Sequence, residues 1–207
     1  MSLIDISQRV SPSVGVFPGD TPFTIHKVMS MHEGGSCDVS TITTTVHAGT
    51  HADAPNHFVP GAAGIDAVLL ERYFGPCRVV ERLGHGPLTE GDVRGWAPLA
   101  GMRYLVRTRT HVDPDVFPEA FAHLTEDAAR ALAAAGVALI GLDTPSMDHR
   151  DSKDLPAHKA LLAAEVAILE NLDLSHVRPG PYELMAFPVR LADADAAPVR
   201  AVLRTLF

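Results

Sequence analysis

Residues 43–58 read TTTVHAGTHADAPNHF and place His47, His51, Asp53 and His57 within eleven positions, with Gly49 and Pro55 among them. Imidazole is a borderline-soft ligand and carboxylate a hard one. Together they suit Zn²⁺, or less comfortably Mn²⁺ or Fe²⁺, and an aspartate can bridge two ions through its two oxygens. A hydrolytic dinuclear centre fits this set, and Asp53 is open to a second role as orienter of a ligating histidine. Reach then constrains the backbone. All four positions are odd-numbered, so a straight strand would align them on one face but spread them over roughly 33 Å at about 3.3 Å per residue. A helix would align His47 with His51, yet the β-branched run before them and Pro55 within the segment oppose it. The chain must bend at Gly49 and Pro55, as a ligand loop held by the strand that precedes it.

The elements that must hold this loop are legible in part. Residues 40–46 (STITTTV) are β-branched and read as a strand, as does TPFTIHKV after the turn signal Pro18-Gly19-Asp20. After the small-residue loop HFVPGAAG, the spacing of IDAVLLERYF predicts a short helix ending near Gly75-Pro76, then a strand over 77–83. Residues 103–107 read as a buried strand and 112–118 as irregular. Thr125 is placed to cap a helix over AARALAAAG that ends at Gly136, followed by a buried strand over 137–142. The polar loop DTPSMDHRDSKD comes next, then an apolar stretch from Ala157. Asp148, His149, Asp151, Ser152 and Lys153 read as solvated, with pocket lining the other reading. The mixture indicates α/β or α+β with a mixed sheet.

The 207 residues are enough for one well-buried domain, 1–207, with no repeat or linker to divide it. Apolar residues are 46% and charged residues 20%, and no apolar run approaches 18 residues, so no transmembrane span is expected. MSLIDISQRV lacks the basic and apolar regions of a secretory signal, which makes the cytoplasm the expected location. A net charge of −8 disfavours nucleic acid and anionic membranes as partners and leaves small molecules and proteins. Cys37 and Cys77 have no metal or disulfide spacing and read as buried apolar residues. Of the eleven histidines, His26, His32, His85, His123 and His176 stand alone as structural or exposed, and His111 with Asp113 and Asp115 is a metal cluster by composition only. No GxSxG, GxGxxG or P-loop is present.

The pattern HxGTHxDxPxHF, here residues 47–58, resembles the signature of the cyclase-like metal-dependent hydrolases. FPGDTPF, GLDTPSMD, HKALLAAEVAILENLDLS and LMAFPVRLADADAAPVRAVLR follow in that family's order, so the resemblance covers essentially the whole chain. It implies a swivelling β/β/α-type domain with a central mixed sheet or barrel flanked by helices, a homodimer, and two Zn²⁺ per chain, Mn²⁺ being the other metal considered. It implies that His47, His51 and Asp53 bind one zinc, that Asp53 bridges to the second, and that His158 and Glu170 complete the pair. On one straight helix the last two would lie about 18 Å and some 120° apart. A break near 164–165 is therefore expected, with a short helix carrying His158 and a strand presenting Glu170 at its end. Glu165 departs from the glycine or small residue that would ease that break.

His57 is implied as general acid/base rather than ligand, a fourth ligand being the other reading, and Phe17 as the aromatic contact to the substrate ring. The implied reaction is hydrolysis of N-formyl-L-kynurenine to L-kynurenine and formate, in tryptophan catabolism. Water activated on the metal would attack the formamide, and an imidazole would relay the proton. Two rivals stand beside it: a related amide hydrolase such as an isatin hydrolase, and a non-catalytic metal-binding protein on the same scaffold.

Overall fold

A computed structural model describes residues 1–110 and 113–206; His111, and with it the grouping of His111, Asp113 and Asp115, lies outside the described residues. The strands are β1 (Leu3–Asp5), β2 (Thr24–Met29), β3 (Val39–Thr43), β4 (His51–Asp53), β5 (Phe74–Glu81), β6 (Arg103–Arg107), β7 (Leu139–Leu142), β8 (Ala167–Glu170), β9 (Gly180–Met185), β10 (Ala196–Pro198) and β11 (Val202–Thr205). Three helices, α1 (Glu90–Trp96), α2 (Glu126–Ala134) and α3 (Pro156–Ala163), connect the parallel run β5-β6-β7-β8. The main sheet has the order β1-β11-β9-β5-β6-β7-β8-β4-β10, antiparallel outside that run. It is the mixed sheet flanked by helices that the sequence predicts. Ser7, just past the edge strand β1, bridges to Leu172, just past β8, so the sheet curls back toward itself as a half-barrel.

Alternation along the central strands divides the core into two faces. Val80, Tyr104, Val106, Ile140 and Ile168 pack under the helices with Leu132 and Leu161, whereas Val79, Leu105, Leu139 and Leu169 meet Leu184 and Leu203 inside the curl. Gly141 serves close approach there, because a Cβ would stand 2.5 Å from Leu105 Cδ2 and 2.7 Å from Leu172 Cδ1. Helix α2 begins as expected: the Thr125 hydroxyl accepts the Ala128 N–H at 3.2 Å, and Gly136 follows the helix at φ 68°.

Three expectations about local structure require correction. Residues 65–74 do not form an α-helix: Ile65–Ala67 and Leu70–Tyr73 are separate 3₁₀ turns, with Val68 and Leu69 extended between them. The carbonyls that would continue a helix are taken elsewhere. Arg103 Nε donates to the Arg72 carbonyl at 2.9 Å and Nη2 to that of Glu71, while Phe74 already belongs to β5, which runs through Gly75-Pro76. Cys77 is buried as expected, but Cys37 is exposed, because it flanks a β2–β3 ribbon that pairs only with itself and buries neither face. The β-branched strand over 40–46 stops at Thr43.

The break after α3 occurs where reach requires it. Ala164 caps the helix, Glu165 takes φ 56°, and β8 starts two residues later and ends on Glu170. A non-glycine residue in the left-handed region carries strain; Glu165 reaches out to Arg72 at 3.1 Å from that position.

Candidate metal centre and active site

Strand β4 is only three residues long, His51-Ala52-Asp53, and all three are buried between β8 and β10. His51 and Asp53 are two apart and therefore share a face; Glu170 is the cross-strand partner of His51 and joins that face. Gly49 (φ 66°) turns the chain before β4 and brings His47 alongside, and the 3₁₀ turn Pro55–His57 brings His57 back after it. His158, third residue of α3, is 2% exposed rather than on a helix surface. The sequence-predicted ligands thus converge from three separate parts of the chain.

The contacts divide them into two groups that share Asp53. Asp53 Oδ1 lies 3.3 Å from His47 Nδ1 and 3.4 Å from His51 Nε2, while Oδ2 lies 3.5 Å from His158 Nε2. Glu170 spans both groups, with Oε2 at 3.4 Å from His51 Nε2 and Oε1 at 3.0 Å from His158 Nε2. Apart from the 3.0 Å hydrogen bond between His158 and Glu170, these separations are long for hydrogen bonds between charged partners. Two ligand atoms each about 2.1 Å from one tetrahedral ion stand about 3.4 Å apart, which matches them.

Each histidine is also held from behind. A carbonyl only accepts, so His51 Nδ1–H donates to Gly49 O at 2.9 Å and Nε2 is left facing the carboxylates. His158 Nδ1 meets Asp148 Oδ2 at 2.6 Å, and His47 Nε2 meets Asp195 Oδ2 at 2.9 Å. An outward nitrogen fixed on an oxygen and an inward nitrogen turned to the shared carboxylates is the arrangement of metal-ligating histidines. His51 Nε2 and Asp53 Oδ1 are buried without a hydrogen-bond partner, which a bound cation would resolve. His47, His51 and Asp53 form one set able to hold an ion, and Asp53, His158 and Glu170 another.

Electrostatics agree. Burial pulls the His51 pKa down, but Asp53 and Glu170 outweigh it and bring it up to about 10. Burial likewise pulls the His158 pKa down, but Asp148, Asp53 and Glu170 outweigh it and raise it well above 6.5. The buried carboxylates thus favour positive charge among them, which a divalent cation would supply.

His57 stands apart. It is not in either buried group; its Nδ1 lies 3.3 Å from Asp195 Oδ2 and its ring centroid is 4.3 Å from that of His47, the planes tilted by 36°, with the side chain 34% exposed. Burial pulls its pKa below 6.5, against the raising influence of Asp53. His57 also belongs to a third possible ligand set, with His47 and Asp195.

His47, His51, Asp53, His158 and Glu170 form the floor of a cavity of about 300 Å³, which His57 also lines. Phe17 lines its mouth, half-exposed rather than packed in the core, with its ring edge-on to Phe117 at 5.4 Å. Two residues of the site escape sequence reasoning. Asp148 is not solvated: it is buried, accepts the backbone N–H groups of Ala157 and His158 at 3.0 Å each, and so joins the start of α3 to the His158 ring. Its only sequence signal is a carboxylate shortly before a helix. Asp195 is brought in by β10, whose Ala196 pairs with Asp53, and no local pattern marks it. Of the lone histidines, His26, His32, His85 and His176 are exposed, and His123 is half-buried against His149.

Comparison with known proteins follows the same lines. Residues 4–149 match the family model Cyclase, described as "Putative cyclase". The chain is 46% identical over 205 residues to a kynurenine formamidase of Bordetella petrii, covering 99% of this chain and 98% of the relative. A predicted metal-dependent hydrolase from Bacillus stearothermophilus superposes with a TM-score of 0.85 at 30% identity, over 98% of this chain and 97% of that one. Isatin hydrolase A from Labrenzia aggregata superposes at 0.83 with 22% identity over 98% and 93%, a likeness of fold alone.

Proposed function

The chain belongs to the Cyclase family, and from that premise we propose that it is a metal-dependent arylformamidase hydrolysing N-formyl-L-kynurenine to L-kynurenine and formate. One observation carries the reaction class: two buried ligand groups sharing Asp53 open, beside His57, into one aromatic-walled cavity. The near full-length identity to a kynurenine formamidase supports the substrate. Likeness to an isatin hydrolase at 22% identity lends no support to a cyclic amide.

In this reading His47, His51 and Asp53 hold one Zn²⁺, and His158 and Glu170 hold a second, with Asp53 and Glu170 shared; Mn²⁺ is the other metal suited to the set. A cation bound there supplies Lewis acidity, acidifying water and polarising the formyl carbonyl. Hydrolysis adds water to the formyl carbon and breaks its bond to the aryl nitrogen, which leaves with a proton. His57 Nε2 takes the proton from the attacking water and returns it to that nitrogen, because Nδ1 faces Asp195 Oδ2 at 3.3 Å and burial keeps the ring neutral near pH 7. Asp195 and Asp148 are positioning residues, acting through His47 and His57 in the first case and His158 in the second. Phe17 offers its ring face to the substrate aryl group. Residues 1–207 act as one domain, and a cytoplasmic homodimer completes the proposal. Among the described residues no helix is long and apolar enough to cross a membrane.

The test is hydrolysis of N-formyl-L-kynurenine by purified protein, read by kynurenine absorbance, with metal determined on the same sample. Chelator-sensitive turnover with about two ions per chain is expected. Full metal content without turnover of any aryl formamide would leave a non-catalytic metal-binding protein.

A further inference from the structure

Two charges in the cavity wall take no part in the chemistry above. Arg150 is the one Lys or Arg among the described lining residues. Its guanidinium lies over the Phe117 ring, 5.8 Å from the centroid, and forms no hydrogen bond or ion pair with the described residues. Three carboxylates line the same cavity: Asp53 and Glu170, both in the floor, and Asp20. The Asp20 backbone N–H closes the turn onto Phe17 O at 2.9 Å, and its side chain has no described partner. The rest of the lining is largely aromatic, with Phe17, Phe117 and the buried Phe121.

N-formylkynurenine has two unlike ends. The formamide belongs at the floor, and the other end is an α-amino acid, a carboxylate and an ammonium on one carbon. A partly desolvated zwitterion needs one cation and one anion, or its charges are buried unpaired. Arg150 is held for such a task. Asp148, two residues before it, is fastened to α3 and His158; on its other side the Ser152 N–H donates to His149 O at 2.8 Å and Ser152 Oγ accepts the Leu155 N–H at 3.2 Å. A guanidinium already placed over an aromatic ring by a short, hydrogen-bonded loop loses less freedom when it takes a carboxylate.

Resting on the formamidase reading, we infer that Arg150 binds the α-carboxylate of the substrate and Asp20 its α-ammonium, so that this pair selects an amino-acid-bearing aryl formamide over a neutral one.

The test compares kcat/KM for N-formyl-L-kynurenine with that for N-(2-acetylphenyl)formamide, which keeps the ring, the ortho ketone and the formamide but lacks the amino acid. Arg150→Met is expected to lower the ratio of the two by roughly 10- to 100-fold, the scale of hydrogen bonds to charged groups, mainly through KM. Arg150→Lys recovers part of it, and Asp20→Asn lowers it less. The ratio cancels any loss of folded protein, and Arg150→Gln gives a second reading if the methionine variant is insoluble. A ratio within twofold of wild type in the Arg150 variants overturns the assignment while leaving the formamidase intact. Wild-type protein that cleaves neither formamide overturns the formamidase reading, and this inference with it.

Discussion

The floor and the rim of the cavity are built by opposite means. On the floor, His51, Asp53, His158 and Glu170 are buried, sit on strands or a helix, and are each fixed by a second contact. At the rim, Phe17, His57 and Arg150 sit on turns and loops and are partly exposed. A floor side chain cannot move without disturbing the sheet, whereas a rim side chain can change with little cost to the fold. Removing a floor group should therefore cost metal, and removing a rim group should cost rate or affinity with metal still in place.

The sharpest way to break that contrast is Asp53→Asn. It takes a carboxylate from both ligand groups, and turnover is expected to fall below detection together with metal content, read by atomic emission. Retention of two ions would end the bridging assignment. Next is His57→Ala, expected to keep metal and lose about 10²- to 10⁴-fold in kcat. Wild-type kcat/KM should also fall on the acid side. Burial lowers the His57 pKa, so the base is protonated only as pH drops through a value below 6.5; an acid limb centred above that would contradict the role.

Asp148→Asn tests the floor from behind. The amide keeps one acceptor for the helix N–H groups but no longer holds His158 Nδ1 as a carboxylate, and metal affinity should weaken about 10- to 100-fold. Titration with a competing chelator would measure it. The smallest effect is expected at Phe17→Ala, a loss of about 0.5–1.5 kcal/mol of ring contact, seen as a severalfold rise in KM at constant metal content. If this variant lost metal, floor and rim would not be separable.

The same division governs how much of the site is legible in the sequence. His47, His51, Asp53 and His57 lie on one short segment, so a local argument from reach suffices to demand the turns at Gly49 and before His57. The break at Glu165 follows from arithmetic on helix length. Asp148 and Asp195 are invisible to such arguments because their partners, His158 and His47, are placed by tertiary pairing. Residues 65–74 mislead for a related reason: their spacing is helical, but Arg103, from a strand made later, claims their carbonyls. Burial of Asp148 overrides the polar character of the loop around it.

The position of β4 between β8 and β10 has a bearing on how the protein is made. The strand carrying His51 and Asp53 leaves the ribosome early, yet both of its neighbours in the sheet are synthesised far later. Until they arrive, His51 and Asp53 belong to an unsupported loop that would hold a metal only weakly. On the proposed ligand set, full-strength loading would therefore wait for β8 and β10, and scarcity of metal would act on chains that have already made those strands rather than on earlier steps of synthesis.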